Sequence, residues 1–345
     1  MSAVRVLGLE SSCDETSAAI VEGGSVIVSQ RTVSQVDTHA KFGGVVPEIA
    51  SRQHVRVITE VVSEALRDAK MNLWDLDGIA VTCGPGLLGA LLVGVSAAKG
   101  YALATGLPLY PIHHIAGHVA AVGLCGEWRP PFVCLVVSGG HTELLLVDAE
   151  FRFQRLGGTL DDAVGEAYDK VGRLCGLPYP GGPEVDRLAE LGNRAKFPFP
   201  RPLLEEEGYD FSFSGLKSAV ANRWAKANQH GETVQTEDVC ASFQAAVLDV
   251  LCRKTVAAVR ATGLRHVVVA GGVAANLGLR RQLAEAGVEH GFTVQFPDLA
   301  LCGDNGAMIA AAAARIWQTG RTATQQLNAH ASLSLEDWQD HWQTL

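Results

Sequence analysis

Apolar positions along this chain follow two periods. Residues 4–10 form a near-continuous apolar run, the pattern of a strand buried on both faces. A polar turn follows, Ser11-Ser12-Cys13-Asp14-Glu15-Thr16, and then strand-like pieces at 17–21 and 25–29 around Gly23-Gly24. The same outline returns at 132–137, an apolar strand with Ser138-Gly139-Gly140-His141-Thr142 as its turn and strand-like pieces at 143–147 and 151–154. Identity between the two stretches is weak, but the shared outline predicts a duplicated unit, one per lobe.

Elsewhere the period becomes helical. At 47–70, Ile49, Val55, Ile58, Val62 and Leu66 keep helical spacing, with Pro47 in the first turn. Residues 76–82 read as a strand, 87–105 as an apolar, glycine-broken helix buried on most sides, and 108–111 as a short extended piece before a helix of histidines. Further helices are predicted at 160–174, 239–261, 275–285 and 305–317, and strands at 266–270 and 292–295. Residues 192–238, with Phe197-Pro198-Phe199-Pro200-Arg201-Pro202, keep no simple period and read as a loop or lid insertion. The tail, with Trp338 and Trp342, reads as a packed edge helix or strap. The alternation predicts an α/β fold with an N-terminal lobe over 1–130, a C-terminal lobe over 131–320 and a tail over 321–345.

Composition agrees with this class. At 345 residues and 48% hydrophobic, the chain has ample material for a core and is long for one domain. Eight cysteines, none in a CxxC pair and mostly in apolar contexts, read as free thiols in a reducing compartment. The apolar runs at 87–98 and 307–314 fall short of a bilayer span, and the N-terminus enters a strand pattern directly; the expectation is a cytoplasmic protein that engages no membrane. The formal charge is −9, whereas a chain gripping nucleic acid unaided needs a positive excess. Positive charge is local. Arg253, Lys254, Arg260, Arg265, Arg280 and Arg281 share an acid-free stretch, and Arg194, Lys196, Arg201, Lys217, Arg223 and Lys226 form a looser set. These are either ordinary helix surface or part of an RNA platform completed by a partner.

The densest chemistry lies in His113-His114-Ile115-Ala116-Gly117-His118. His114 and His118 stand four apart, so a helix places both rings on one face, where they can hold a divalent metal; His113 points about 100 degrees away. Asp304, in Cys302-Gly303-Asp304-Asn305-Gly306, can add an oxygen ligand. No Glu stands at 115, so this is not the HExxH pattern of metallopeptidases. Iron and zinc are both chemically reasonable. Glycine pairs at 84/86, 139/140, 157/158, 181/182 and 271/272 are either tight turns or phosphate-holding turns, and none matches the P-loop. Asp14 and Glu15 are solvated loop residues or face a cleft. Asp162, Glu166 and Asp169 would share one acidic helix face, with Asp169 accepting from a sugar hydroxyl or an amide. Asn276 caps a helix or binds a base or ribose.

These stretches, with Gly8-Leu9-Glu10-Ser11-Ser12-Cys13-Asp14-Glu15-Thr16, Val137-Ser138-Gly139-Gly140-His141-Thr142, Asp161-Asp162-Ala163-Val164-Gly165-Glu166-Ala167-Tyr168-Asp169-Lys170, Tyr179-Pro180-Gly181-Gly182-Pro183, Phe211-Ser212-Phe213-Ser214-Gly215-Leu216-Lys217 and Gly271-Gly272-Val273-Ala274-Ala275-Asn276, occur in order from residue 8 to 306. The chain thereby resembles the bacterial tRNA N6-adenosine threonylcarbamoyltransferase family, formerly described as O-sialoglycoprotein endopeptidases or glycoproteases. The resemblance implies the actin-like, sugar-kinase-like ATPase fold of two duplicated lobes with a nucleotide cleft between them. It implies transfer of a threonylcarbamoyl group from threonylcarbamoyl-AMP to N6 of adenosine 37 in tRNAs that read codons beginning with A. One Fe2+ per subunit, with Zn2+ able to substitute in vitro, would be held by His114, His118 and Asp304. Val137, Ser138, Gly139, Gly140, His141, Asp169, Gly182 and Asn276 would hold the adenylate. Asp14 and Glu15 would orient substrate or relay the amine proton, while Cys13 is assigned to structure. The implied partners are tRNA, a shorter paralogous subunit and a small P-loop ATPase. A metallopeptidase and a small-molecule kinase of the same fold are the rival readings.

Overall fold

The computed structural model describes residues 3–230, 232–342 and 345. The chain forms two compact units, one of Met1–Trp128, Glu150–Phe153 and Pro297–Leu345, the other of Arg129–Ala149 and Gln154–Phe296. The sequence-based boundaries differ at the far end: residues 297–320, expected with the C-terminal lobe, pack with the first unit together with the tail.

The first unit opens with β1 (Arg5–Glu10), β2 (Glu15–Glu22) and β3 (Val26–Ser34), followed by α1 (Val36–Ala40), α2 (Pro47–Ala69), β4 (Gly78–Gly84), α3 (Leu88–Thr105), β5 (Leu109–His113) and α4 (His114–Ala121). The second unit contains β6 (Phe132–Val137), β7 (Thr142–Val147), β8 (Phe153–Gly158), α5 (Val164–Leu174), α6 (Gly181–Ala189), α7 (Ser214–His230), α8 (Thr236–Thr262), β9 (His266–Ala270), α9 (Leu277–His290) and β10 (Thr293–Gln295). The chain then returns with α10 (Gly306–Ile316) and α11 (Leu335–Asp340).

The strand order is β3-β2-β1-β4-β5 in one sheet and β10-β9-β6-β7-β8 in the other, which is the same topology read from opposite edges. In each, the first strand pairs antiparallel with the second and parallel with the fourth. The repeat read from the sequence is therefore a repeat of sheet topology. β1 and β4 are apolar almost throughout because helices cover both faces of the sheet. Gly8 points to α10, so the alternation of a strand sends the buried Leu7 and Leu9 to the opposite face.

Three helices depart from the sequence expectation. α7 occupies 17 residues of the segment read as a loop or lid; buried Leu216, Val220 and Ala227 stand at helical spacing that the flanking prolines obscured. Gly231, also in that segment, lies outside the described residues. α5 begins at Val164 rather than 160, because Asp161 is spent outside the helix: its carboxylate accepts from the amides of Phe213 and Ser214 and the hydroxyls of Ser212 and Ser214. α3 runs unbroken to Thr105, and among the described residues it is the one helix that is long and apolar enough to cross a membrane. The run read as ending at 98 is too short only if Lys99 and Gly100 interrupt it, and they do not. Its Leu91, Val95 and Ala98 are buried, the helix packs on α2 and β4, and Lys99 Nζ donates to Leu327 O at 3.0 Å. Leu88, Leu92 and Leu103 are exposed, so the helix is not buried on most sides. In the tail, Trp338 on α11 is buried and its indole donates to Pro111 O at 2.8 Å.

α10 lies against β1 and β2 at backbone contact distance. A Cβ at Gly8 would strike Gly306 O and Ala310 N, and a Cβ at Gly306 would fall 2.7 Å from Ala19 N and Gly8 O. Gly8→Ala is expected to destabilise the chain by about 1–3 kcal/mol, since overpacking forces backbone shifts; a thermal or urea unfolding curve checks it.

Candidate metal centre and nucleotide pocket

β5 hands directly over to α4 at the histidines. His113 caps the helix, its Nδ1 accepting from Ile115 N at 3.1 Å while Nε2 donates to Leu333 O at 2.9 Å. Both nitrogens are thus committed to structure; the reason is not an angular offset on the helix, because His113 is the extended last residue of β5. One turn separates His114 from His118, whose ring centroids lie 4.7 Å apart at 80°. Asp304 enters from the turn before α10. Asn305 holds that turn: its Oδ1 accepts from Met308 N at 2.9 Å, and its Nδ2 donates to Gly303 O at 2.8 Å. Asp304 Oδ1 then lies 3.1 Å from His118 Nε2 and 3.6 Å from His114 Nε2. One donor atom from each of the three falls within 4.8 Å of the others, the spacing of a shared ion. His118 is 1% exposed, and among the described residues neither ring nitrogen makes a hydrogen bond. A buried imidazole in that condition is costly unless something else satisfies it. The donor set fits a divalent metal of the iron or zinc type. All three residues belong to the first unit, Asp304 through the returning segment.

Sequence reasoning missed the residues that orient His114. Glu10, fully buried at the end of β1, places Oε2 3.3 Å from His114 Nδ1, and Ser12 Oγ lies 3.1 Å from the same nitrogen. Thr82 donates to Glu10 Oε2 at 2.6 Å and Ser12 N donates to Oε1. A carboxylate only accepts, so Nδ1 carries a proton, and when the ring is neutral the nitrogen left with a lone pair is Nε2, on the side of Asp304. Burial opposes charge on His114, but Asp304 and Glu10 outweigh it and raise its pKa to about 9. The signal was present as an acid inside an otherwise apolar strand.

Asp14 and Glu15 sit where β2 begins. Asp14 is buried, and its carbonyl accepts from Gln35 N. Glu15 accepts from Ser34 Oγ at 3.0 Å, and burial followed by repulsion from Asp14 and Asp304 pushes its carboxyl well above the usual range. The pair thus shares the electrostatic neighbourhood of the three-residue cluster. Burial likewise pushes the Cys13 thiol up, which disfavours a nucleophilic thiolate.

A pocket of about 520 Å³ lies in the second unit. Of the residues expected to hold an adenylate, Gly139, Asp169, Gly182 and Asn276 line it; Val137, Ser138, Gly140 and His141 do not. Ser138 and His141 instead close the turn, with Ser138 N donating to His141 O and His141 N donating to Ser138 Oγ. Asp169 Oδ1 accepts from the amides of Gly181 and Gly182 at 2.8 and 3.1 Å, so it anchors the start of α6. Asn276 is the N-cap of α9, with Oδ1 accepting from Leu279 N. Asp186 also lines the pocket and was not singled out, although it follows Gly182 by one helical turn. The expected acidic face of α5 is largely neutralised: Asp162 lies before the helix, and Lys170 bridges it to Glu166 at 2.7 and 2.9 Å. Gly157 and Gly158 lie within β8, not in a turn. A larger hollow of about 690 Å³ beside α8 and α9 mixes glutamates with Arg253, Lys254 and Arg260 and converges on no single chemistry.

The basic stretch is also largely committed. Arg281 pairs with Glu190, Arg253 with Glu205, and Arg280 donates to Ala274 O and stacks on Phe296. Lys254 is buried and donates to the carbonyls of Glu206 and Gly208. In the looser set, Arg201 pairs with Asp249 and Arg223 with Glu232. These contacts favour the helix-surface reading over an RNA platform.

Comparison with known proteins places this geometry. The family model described as "TsaD: tRNA N6-adenosine threonylcarbamoyltransferase" matches residues 26–311. The tRNA N6-adenosine threonylcarbamoyltransferase of Halalkalibacterium halodurans is 54% identical over 332 residues, covering 96% of each chain. Among solved structures, full-length HypF aligns with a TM-score of 0.64 at 14% identity, over 92% of this chain and 46% of that longer one. Component A of the Acidaminococcus fermentans (R)-2-hydroxyglutaryl-CoA dehydratase aligns with a TM-score of 0.54 at 18% identity, over 92% and 99%. These distant likenesses concern fold alone, and with the family match they give the actin-like, sugar-kinase-like ATPase fold of two lobes. With a family model matching residues 26–311, 54% identity over 96% of the Halalkalibacterium relative, and its own cluster of two buried histidines and a partly buried aspartate, the chain belongs to the TsaD family of tRNA N6-adenosine threonylcarbamoyltransferases.

Proposed function

We propose that this protein transfers the threonylcarbamoyl group of threonylcarbamoyl-AMP to N6 of adenosine 37 in tRNAs reading codons that begin with A. The new bond joins N6 to the carbamoyl carbon; the anhydride C–O bond breaks, AMP leaves, and the amine gives up one proton. The observation that carries the reading is 54% identity, over 96% of each chain, with a protein described as a tRNA N6-adenosine threonylcarbamoyltransferase. The donor is already activated, so no covalent enzyme nucleophile is needed. The acceptor amine is weak because its lone pair is delocalised into adenine, so alignment and charge stabilisation are the protein's tasks.

His114, His118 and Asp304 would hold one Fe2+, with Zn2+ a substitute in vitro. When bound there, the metal supplies Lewis acidity toward a substrate oxygen. Glu10 and Ser12 keep His114 in the tautomer whose Nε2 faces Asp304. Asp14 and Glu15 orient the amine or take its proton. In the second unit, Gly139 at the exposed turn offers backbone amide to the phosphate, and the pocket formed by Asp169, Gly182 and Asn276 takes the nucleoside. A shorter paralogous subunit and a small P-loop ATPase complete the working assembly, and its compartment is the cytoplasm.

The decisive assay supplies threonylcarbamoyl-AMP and unmodified tRNA to the reconstituted assembly and measures modified nucleoside by mass. His114→Ala and Asp304→Ala are each expected to lower the rate at least about 100-fold. Wild-type rates in both variants would remove the metal from the mechanism. Glu10→Gln leaves every ligand in place but weakens the acceptor at His114 Nδ1. Its affinity for Fe2+ or Zn2+, titrated calorimetrically, is expected to fall about 10- to 100-fold. Because the charge is −9 and most basic side chains are committed, the isolated chain is expected to bind tRNA weakly and the assembly more tightly. A salt titration with and without partners checks this, and steep salt-sensitive binding by the chain alone would contradict it.

A further inference from the structure

Behind the pocket lies a polar network that none of the roles above uses. Gln244, on α8, is 4% exposed and does not line the pocket, yet its carboxamide touches three residues that do. Gln244 Nε2 donates to Asp186 Oδ1 at 2.9 Å. Gln244 Oε1 accepts from Tyr168 Oη at 3.0 Å and from Asn276 Nδ2 at 2.9 Å. Asp186 accepts through its other oxygen from Leu277 N at 2.9 Å.

The direction of every bond follows from one charge. An ionised carboxylate can only accept, so the group facing Asp186 must be the NH2 end of Gln244. Its oxygen therefore faces the other way, and Tyr168 and Asn276 must both donate to it. Asn276 in turn presents Nδ2 inward, leaving Oδ1 for Leu279 N at the start of α9. The carboxylate and carboxamide at the pocket wall are thus held in fixed rotamers by a residue the ligand does not reach. Gln244, Tyr168 and Asn276 are buried, and a network whose buried members are all bonded is stiff.

We infer that Gln244 is a positioning residue of the nucleotide site, acting through Asp186 and Asn276 to fix the polar wall that the adenylate meets. The inference rests on the pocket being the adenylate site, as proposed above.

AMP, titrated calorimetrically into the full chain, is the probe. Gln244→Met keeps length and removes both hydrogen-bonding functions; AMP binding is expected to weaken about 10- to 100-fold, the effect of losing hydrogen bonds to a charged group. In the reconstituted assembly the loss should fall on KM for threonylcarbamoyl-AMP rather than on kcat, a split that general destabilisation does not produce. Gln244→Glu places a second carboxylate against Asp186, and combining it with Asp186→Asn restores one donor–acceptor pair. The double variant is expected to bind AMP at least about 5-fold better than the two single variants predict together. Additive losses, or a Gln244→Met chain that binds AMP within twofold of the original, would overturn the inference. Should Gln244→Met fail to fold, the Glu/Asn cycle decides alone. No AMP binding by the unsubstituted chain would remove the adenylate reading and this inference with it, whereas AMP binding that ignores Gln244 removes only the inference.

Discussion

The position of Asp304 depends on how closely one helix can approach one sheet. α10 meets β1 and β2 through Gly8 and Gly306, where neither residue has room for a Cβ, and meets α4 at Gly117, where a Cβ would fall 2.7 Å from Ile309. Helix packing at ordinary side-chain distance would hold α10 several ångströms further out. The turn carrying Asp304 directly precedes this helix, and Asn305 locks it there. A ligand set closes within 4.8 Å only if the backbone is held to that tolerance. Small residues at these contacts therefore serve the metal centre without touching it.

The two histidines of that centre are held differently. His114 is oriented from behind by Glu10, which is itself held by Thr82 and by Ser12 N. His118 has no hydrogen bond of that kind among the described residues, and its Nε2 lies 3.1 Å from Asp304 Oδ1. One ligand is thus preset by the strand β1 and the other by the helix it shares with the first. The same principle recurs in the second unit on different residues. There a carboxylate, Asp186, sets the sense of a buried amide network, and two pocket residues take their orientation from it. In both places the chain fixes polar groups by surrounding one acid with partners that can bond to it in only one sense.

Much of this was legible from residue order. The continuous apolar runs at 4–10 and 132–137 fall on the central strands of the two sheets, and their repeated outline matches a shared strand topology. The i,i+4 histidines fall on one helix, while His113 is set apart by ending the strand before it. Other features were misread for a common reason: local sequence does not say what a residue is packed against. The glycine pairs read as tight or phosphate-holding turns, yet Gly157 and Gly158 lie in a strand, and the glycines that set the approach of α10, Gly8, Gly117 and Gly306, are spacers whose partners are distant in sequence. The acidic outline of 161–169 looked like one face, but Asp161 and Asp162 precede the helix and Lys170 neutralises much of what remains. α7 was hidden because prolines upstream masked a buried stripe that is clear once the helix start is known.

The basic residues show how far charge counting can mislead. Six cations without an intervening acid look like a nucleic-acid surface along the sequence, but a helix samples acids from its neighbours rather than from its own segment. Glu190 on the segment after α6 reaches Arg281 on α9, Glu205 reaches Arg253, and two main-chain carbonyls take Lys254. An RNA phosphate would have to displace these partners. Each exposed pair contributes little to stability, so displacement is not forbidden, but it lowers the net gain from every contact. An acidic chain in which Arg201, Arg223, Arg253, Lys254, Arg280 and Arg281 already have internal partners gains little from offering those cations to phosphate. The charge pattern thus sets a limit on phosphate contacts from these two basic stretches, because each new contact must first replace an internal one.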